Sequence, residues 1–439
     1  MSSSRIPANR LSRSVLLFVV VVSCAHALVH VLELSLSSVE QIIGEQQGLS
    51  RARMGNLGTA FRLPFGIFAL LTGLVADRFG PKRLLIVYLL GSAAVCGVMP
   101  FMTGAAAIFS AMFLLGCFAA IYHPAGLALL SHATTPHNRG RALGLHGIFG
   151  SVGIAGAPFV AGLFLSTQGT WQQYYLLLTV PLIAIAVVLF FTRTIDHCGD
   201  QTKTDEKAAQ HAGNSSGTKG NPEPSRRRNT GPANLGFGQE PARMNWPFYV
   251  TAVASAGVSG MVYAGFLHFL PRYLNDANLL TGWPEESSRN YLAALALICG
   301  AVGQWIAGRL AKPGRLEWLF FLILLGNAPF LFWMAYATGS QRLLACCLLA
   351  LVHFMNQPVY NSLLATLIPP ARRSTGYGFS NMINFGVGAL GPTLAGLMST
   401  DRATYTLLAS IALAAALLAI PLVVLARKSQ NGAATTTSS

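Results

Sequence analysis

Apolar residues come in runs of about 20, separated by short polar or basic loops. Twelve such runs lie near 14–36, 53–75, 83–103, 105–131, 140–165, 172–192, 246–271, 289–311, 316–338, 342–368, 374–398 and 403–426. About 20 apolar residues in a helix cross a bilayer core. Only helices or closed barrels satisfy their backbone groups in lipid, and the short alternating segments of a barrel are absent. The pattern predicts an all-α membrane protein with twelve spans, numbered 1–12 in chain order. Residues 194–244 interrupt it with a stretch rich in Gly, Asn, Pro, Lys and Arg. That composition predicts a flexible linker. The chain therefore divides into a six-helix half at 1–193, the linker at 194–244, a second half at 245–428, and a polar tail at 429–439.

Charge adds an orientation. Only 10% of the residues are charged and 53% are hydrophobic, whereas soluble domains carry about a quarter charged residues. The formal charge of +15 lies between apolar runs rather than in one patch. It is topogenic and gives no reason to expect a nucleic-acid partner. With the N-terminus inside, the cytoplasmic segments hold 23 Lys and Arg and the opposite side six. The positive-inside rule then places both termini and the linker in the cytoplasm, with the chain in the inner membrane. Arg5, Arg10 and Arg13 precede span 1, which lacks a small-residue cleavage site and reads as a span rather than a signal peptide. Six of the seven cysteines fall within apolar runs without zinc spacing, as packing residues rather than disulfides.

The two halves repeat. A gapless shift of 234 residues aligns Pro124 with Pro358, Pro136 with Pro370, Arg139 with Arg373 and Pro158 with Pro392. It gives 11 identities over the 40 residues 124–163. The shift preserves the parity of the spans, so the repeats are parallel. Parallel halves place a solute site at their interface near mid-membrane.

Between spans 2 and 3 runs Gly73-Leu-Val-Ala-Asp77-Arg78-Phe-Gly80-Pro81-Lys82-Arg83. This resembles the signature loop of the major facilitator superfamily, G-x-x-x-D-R-x-G-R followed by two Lys or Arg, with Pro81 as its departure. The resemblance implies two parallel six-helix bundles related by a pseudo-twofold axis. It also implies a cytoplasmic latch that closes when the molecule opens outward. The second-half counterpart, Gly308-Arg309-Leu-Ala-Lys312-Pro-Gly314-Arg315, has Ala311 in the place of Asp77, so the latch is expected to be asymmetric. Gly144, Gly153, Ala157-Pro158 and Ala161-Gly162 in span 5 are similar to the small-residue pattern of the family's antiporters, with two of its glycines replaced by alanine, and read more readily as packing residues. Ile121-Tyr-His-Pro-Ala-Gly126 resembles a segment of bacterial facilitators that include the fosmidomycin-resistance exporters, which leans the expectation towards export.

Ionisable groups inside a membrane are costly and mark function. His26, His30 and Glu33 lie at i, i+4 and i+7 of span 1, on one helical face. His and Glu suit proton coupling. Arg62, mid-span 2, needs an anion: Glu33 or a solute. By depth along the helices it falls nearer His26 and His30. His268 and Arg272 end span 7 and are candidates to face the cavity from the second half, although Arg272 is near enough to the surface to snorkel. Asn381 and Asn384 in span 11 are candidate cavity residues. His123 and His146, with His353, Asn356 and Gln357, are candidates for an inner polar gate.

These features predict a secondary transporter of a small organic solute, proton-coupled, working as a monomer and without a cofactor. No P-loop supports ATP-driven pumping, and no nucleophile–base pair or metalloprotease motif supports an enzyme. Two alternatives stand beside this reading. One is metal transport through the His/Glu face of span 1, against which count a missing fourth ligand and the nearby Arg62. The other is a sensor or scaffold built on a transporter fold.

Overall fold

The computed structural model describes residues 11–135, 138–193, 244–369 and 372–436; the side chains of Asp77, Arg373, Ser374 and 425–436 lie outside that description. The proposed linker, the Pro136/Pro370 pair and the Asp77 side chain therefore fall outside the described residues. Every described element is helical. Span 1 is Arg13–Gln46, span 2 Arg51–Phe79, span 3 Pro81–Val98, span 5 Arg139–Leu165 and span 6 Trp171–Phe191. Span 7 is Trp246–Asn275, span 8 Glu285–Leu310, span 9 Leu316–Tyr336 and span 12 Asp401–Thr436. This last helix continues beyond Lys428, where the sequence pattern predicts a polar tail.

Spans 4 and 10 are each two helices in line, Ala105–Ala119 with Tyr122–Ala133 and Ser340–Phe354 with Asn356–Leu367. The cause is shared. Pro124 and Pro358 cannot donate to the carbonyls four residues earlier, so each helix breaks just ahead of its proline. The 234-residue shift that matches the prolines also carries the helix starts Arg51, Tyr122 and Arg139 onto Glu285, Asn356 and Arg373. The repeat is thus reproduced as structure, kink included.

Span 11 departs from the single run that the sequence predicts. It is split at Ala389 into Arg373–Gly388 and Leu390–Leu397, so eleven rather than twelve stretches are long and apolar enough to cross a membrane among the described residues. Its repeat partner, span 5, keeps Pro158 inside one continuous helix, so the proline alone does not break it. Around the break, Gly388 and Gly391 press on Gly260 and Met261 of span 7. From the other side, Thr59 of span 2 donates to the Ala389 carbonyl at 2.6 Å.

Helix ends follow local chemistry. Ser12 and Ser50 accept from the amides of Val15 and Arg53, and Thr170 with Gln173 forms a capping box. Gly80 has φ +87°, a conformation that favours glycine, and Pro81 opens span 3, where its missing N–H is tolerated. That accounts for the departure of the signature loop at Pro81.

The linker face of the molecule is the one from which residues 193 and 244 leave; the far face is opposite. Both ion pairs that join the two halves among the described residues lie near the far face. Arg272 grips Glu40 through two hydrogen bonds of 2.6 and 2.8 Å. Arg51 meets Asp401 at 3.0 Å, and Arg342 of the second half meets the other oxygen of Asp401 at 2.9 Å. Asn290 donates to the Ser38 carbonyl and Arg289 to Gln41. Gly55 of span 2 packs against the Pro392 and Gly396 backbone of span 11. Towards the linker face, by contrast, Gly140, Gly144 and Gly147 of span 5 and Gly308 of span 8 have no described atom in the space a side chain would fill. The ion pairs that join the halves thus gather at the far face, and the glycines of spans 5 and 8 towards the linker face are exposed.

Candidate functional site

Small residues bring the polar groups of the first half together. Gly150 and Gly153 let span 5 lie directly on span 1: a Cβ on Gly150 would strike the His26 ring, and one on Gly153 the Ala27 backbone. Gly116 allows span 4 the same approach to Phe61 and Pro64 of span 2. The kink ahead of Pro124 then places His123 beside span 1. Four histidines from three spans thereby meet midway along the helices. The His26 and His146 rings stack with centroids 3.9 Å apart, and His123 lies edge-on to His26 at 5.5 Å.

An ion pair adjoins them. Arg62 Nη1 donates to Glu33 Oε1 at 2.6 Å, and both residues are almost wholly buried, at 4% exposure each. Depth counting places Arg62 nearer His26 and His30. The structure closes it on Glu33, because an extended arginine spans more than the helical pitch of about 5.4 Å. The second Glu33 oxygen, Oε2, lies 2.8 Å from His30 Nδ1. Arg62 Nη2 is buried with no hydrogen-bond partner among the described residues, as is His123 Nε2. The Arg62 guanidinium also faces the Tyr263 ring of the second half at 5.7 Å, so the pair sits at the interface of the halves.

The partners fix the imidazole tautomers. A carbonyl only accepts, so His26 Nδ1, 2.9 Å from the His146 carbonyl, carries a proton. A carboxylate paired with arginine also only accepts, so His30 Nδ1 carries one too. In the neutral rings both Nε2 atoms are then bare acceptors, and they face each other at 3.2 Å. Positive charge between them relieves that repulsion. One ring nitrogen from each of His26, His30 and His123 lies within 4.8 Å of the other two, so ring shifts of under about 1.5 Å bring all three to the spacing of a bound metal ion.

The other sequence candidates are dispersed. His353 pairs with Asn327 inside the second half at 3.0 Å. Gln357 accepts from Gln304, which itself accepts from Ser151 of span 5 at 2.6 Å, so a polar thread crosses between the halves. The Asn356 Oδ1 is buried without a partner among the described residues. Asn384 packs its Oδ1 against Gly260 within the second half, and Asn381 is half-buried. His268 Nε2 donates to the Met54 carbonyl at 2.9 Å, and Arg272 holds Glu40; both tie the far face shut. In the signature loop, Lys82 donates to the Phe190 and Thr192 carbonyls at the end of span 6, a cation on a helix C-terminus. Arg78 lies over Phe79, Arg83 is exposed at the start of span 3, and Gly73 merely touches Pro124.

Sequence reasoning missed Glu40, Arg51 and Asp401 of the far-face seal, Gln304 and Ser151 of the thread, and Tyr263. Their signal is the same as that of the residues it found, a polar group in or beside a span. They sit nearer the ends of apolar runs or carry no charge.

Residues 21–392 match the family model described as Major Facilitator Superfamily, and the chain belongs to that family of transporters. A Bacillus subtilis protein assigned as a niacin/nicotinamide transporter, NiaP, is 25% identical over 90% of this chain and 91% of its own. The puromycin resistance protein of Streptomyces alboniger is 34% identical over 36% of this chain and 30% of its own. Among solved structures, a bacterial homologue of the human lysosomal transporter Spinster superposes with a TM-score of 0.69 at 15% identity, covering 94% of this chain and 96% of that one. The Escherichia coli xylose transporter XylE gives 0.69 at 12% identity over 92% and 95%.

Proposed function

We propose that this member of the superfamily moves a small organic solute across the inner membrane by alternating access, driven by protons. The observation that carries the reading is the buried Glu33–Arg62 pair with its histidines at the interface of the halves. A charged pair in a membrane interior is expensive, and here it lies where a solute bound between two parallel bundles would meet it. The spare Nη2 of Arg62 and the ring of Tyr263 offer a solute a charged donor and an aromatic wall. The seal of Arg272–Glu40 and Arg51–Asp401 acts as the outer gate. The linker-face ends of spans 5 and 8, with their exposed glycines, act as the inner one.

On this reading the linker face is cytoplasmic, as the distribution of Lys and Arg favours, and the two halves are domains joined by a cytoplasmic linker. One chain supplies both walls of the pathway, so a monomer suffices. The histidine–carboxylate cluster supports protons as the driving ion. The direction we propose is export, supported by the Tyr122-His123-Pro124 segment and by the puromycin-resistance relative.

The test is flux in proteoliposomes. Radiolabelled nicotinate and puromycin, solutes named for relatives, are each offered with and without an imposed pH gradient. The expected result is gradient-dependent movement of one of them that Arg62→Ala abolishes. Movement indifferent both to the gradient and to that substitution contradicts the proposal.

A further inference from the structure

We propose that His26, His30 and His123 form a binding site for a divalent transition-metal ion of borderline softness, Zn²⁺ being the type case. The argument is geometric. Four-coordinate zinc holds imidazole nitrogens at about 2.0–2.1 Å, which sets neighbouring ligand atoms about 3.3 Å apart. The two Nε2 atoms of His26 and His30 are 3.2 Å apart, one tetrahedral edge, and a His123 nitrogen lies within 4.8 Å of a nitrogen of each, a ring shift of under about 1.5 Å from the third position.

The outer shell fits as well. Metal-bound imidazoles characteristically donate their other nitrogen to a carboxylate or a backbone carbonyl. His30 donates to Glu33 and His26 to the His146 carbonyl. Both rings are therefore held in the tautomer that presents a bare Nε2. A closed hydrogen-bond cluster would match donors to acceptors. Here the two Nε2 atoms oppose each other as acceptors whenever both rings are neutral, and His123 Nε2 is buried and unpartnered among the described residues.

Two objections apply to span 1 taken alone: too few ligands, and Arg62 nearby. The kink of span 4 supplies His123 as the third ligand. The charge of Arg62 is offset by Glu33 at 2.6 Å. Three protein ligands with a fourth position left for water or solute is the arrangement of open zinc sites. The remaining polar neighbours do not compete, since His146 turns its ring face to His26 and Tyr122 donates to the Val22 carbonyl. All-nitrogen ligation selects zinc, cobalt, nickel or copper over magnesium and calcium, which take oxygen. An ion here pins span 1 to span 4 within the first half. The inference stands on these distances and not on the transport reading, so each can fail alone.

The test uses the untagged full-length protein, stripped of metal, in detergent. Co²⁺ is added and the visible spectrum followed; Zn²⁺ and Mg²⁺ are titrated by calorimetry. The expected result is the spectrum of four-coordinate cobalt, one Zn²⁺ per chain and no heat with Mg²⁺. His30→Gln and His123→Gln each weaken Zn²⁺ at least about 100-fold, beyond the 10–100-fold cost of losing an outer-shell partner. His353→Gln leaves it unchanged. His123→Cys retains the ion and adds a thiolate-to-cobalt charge-transfer band, a gain that misfolding cannot produce. No Zn²⁺ binding, binding untouched by both glutamine variants, or equal loss in His353→Gln overturns the proposal, the second outcome marking other histidines as the binders and the third a general effect of losing a buried histidine.

Discussion

The two halves share a repeat, a kink and a helix register, yet their centres differ. The shift that superposes the helix starts sets Gly260 against His26, Ala264 against His30, Leu267 against Glu33, Ala296 against Arg62 and Gln357 against His123. Every titratable group of the first centre thus faces a neutral residue in the second. The second half keeps a polar lining of its own, His353 with Asn327 and Gln304 with Gln357, but no buried charge pair among the described residues of its centre. The duplicated scaffold supplies two walls and the kinks that bend them. The charge was built into one wall only. We read the first half as the one that binds the driving ion and the second as the one that moves against it.

The sharpest way to break this contrast is Arg62→Ala. It strands a buried carboxylate, which costs about 3–5 kcal/mol, and it is expected to lower the melting temperature and abolish flux together. Arg272→Ala acts at the join between the halves. Glu40 is buried there but Arg272 is a quarter exposed, so the cost falls near the low end of the range for truncating such a pair, about 2 kcal/mol. The accompanying change is greater labelling of a cysteine introduced at the far face, as the outer seal loosens. Gly153→Ala drives a methyl into the Ala27 carbonyl and prises span 5 from span 1, at about 1–3 kcal/mol. Its flux is expected to fall with the loss of the His26–His146 contact. Gln304→Leu removes two neutral hydrogen bonds, one to Gln357 and one from Ser151 of span 5, at about 0.5–1.5 kcal/mol each, and flux is expected to survive. If calorimetry and flux rank these four in another order, the asymmetry between the halves is wrong.

Most of the fold is legible in the sequence because lipid imposes one simple rule, apolar runs of helix length. The exceptions have physical causes. The apolar run of span 1 ends near residue 36, but the helix continues to Gln46. Its last turns face spans 7 and 8 rather than lipid, so Glu40 is hidden from any hydropathy argument. Span 11 reads as one run because nothing in its composition reports the squeeze between Gly260 and Thr59 that splits it at Ala389. Within the site, the one-face spacing of His26, His30 and Glu33 is local and readable. Whether His123 and His146 join them depends on the kink of span 4 and on Gly150, which only the packing of three helices reveals. The same spacing argument has no access to Tyr263, since an aromatic residue in an apolar run looks alike whether it faces lipid or the partner half.

The most direct test of the asymmetry compares two charge-neutral double variants in the same proteoliposomes. Replacing a buried pair by apolar residues of similar size is often neutral or stabilising, so Glu33→Leu/Arg62→Leu and Asn327→Leu/His353→Leu both remain folded and can be compared on flux alone. The account predicts that the first loses all pH-driven flux of the transported solute while the second keeps most of it. Driven flux that persists in the first variant, or is lost equally in both, would contradict it.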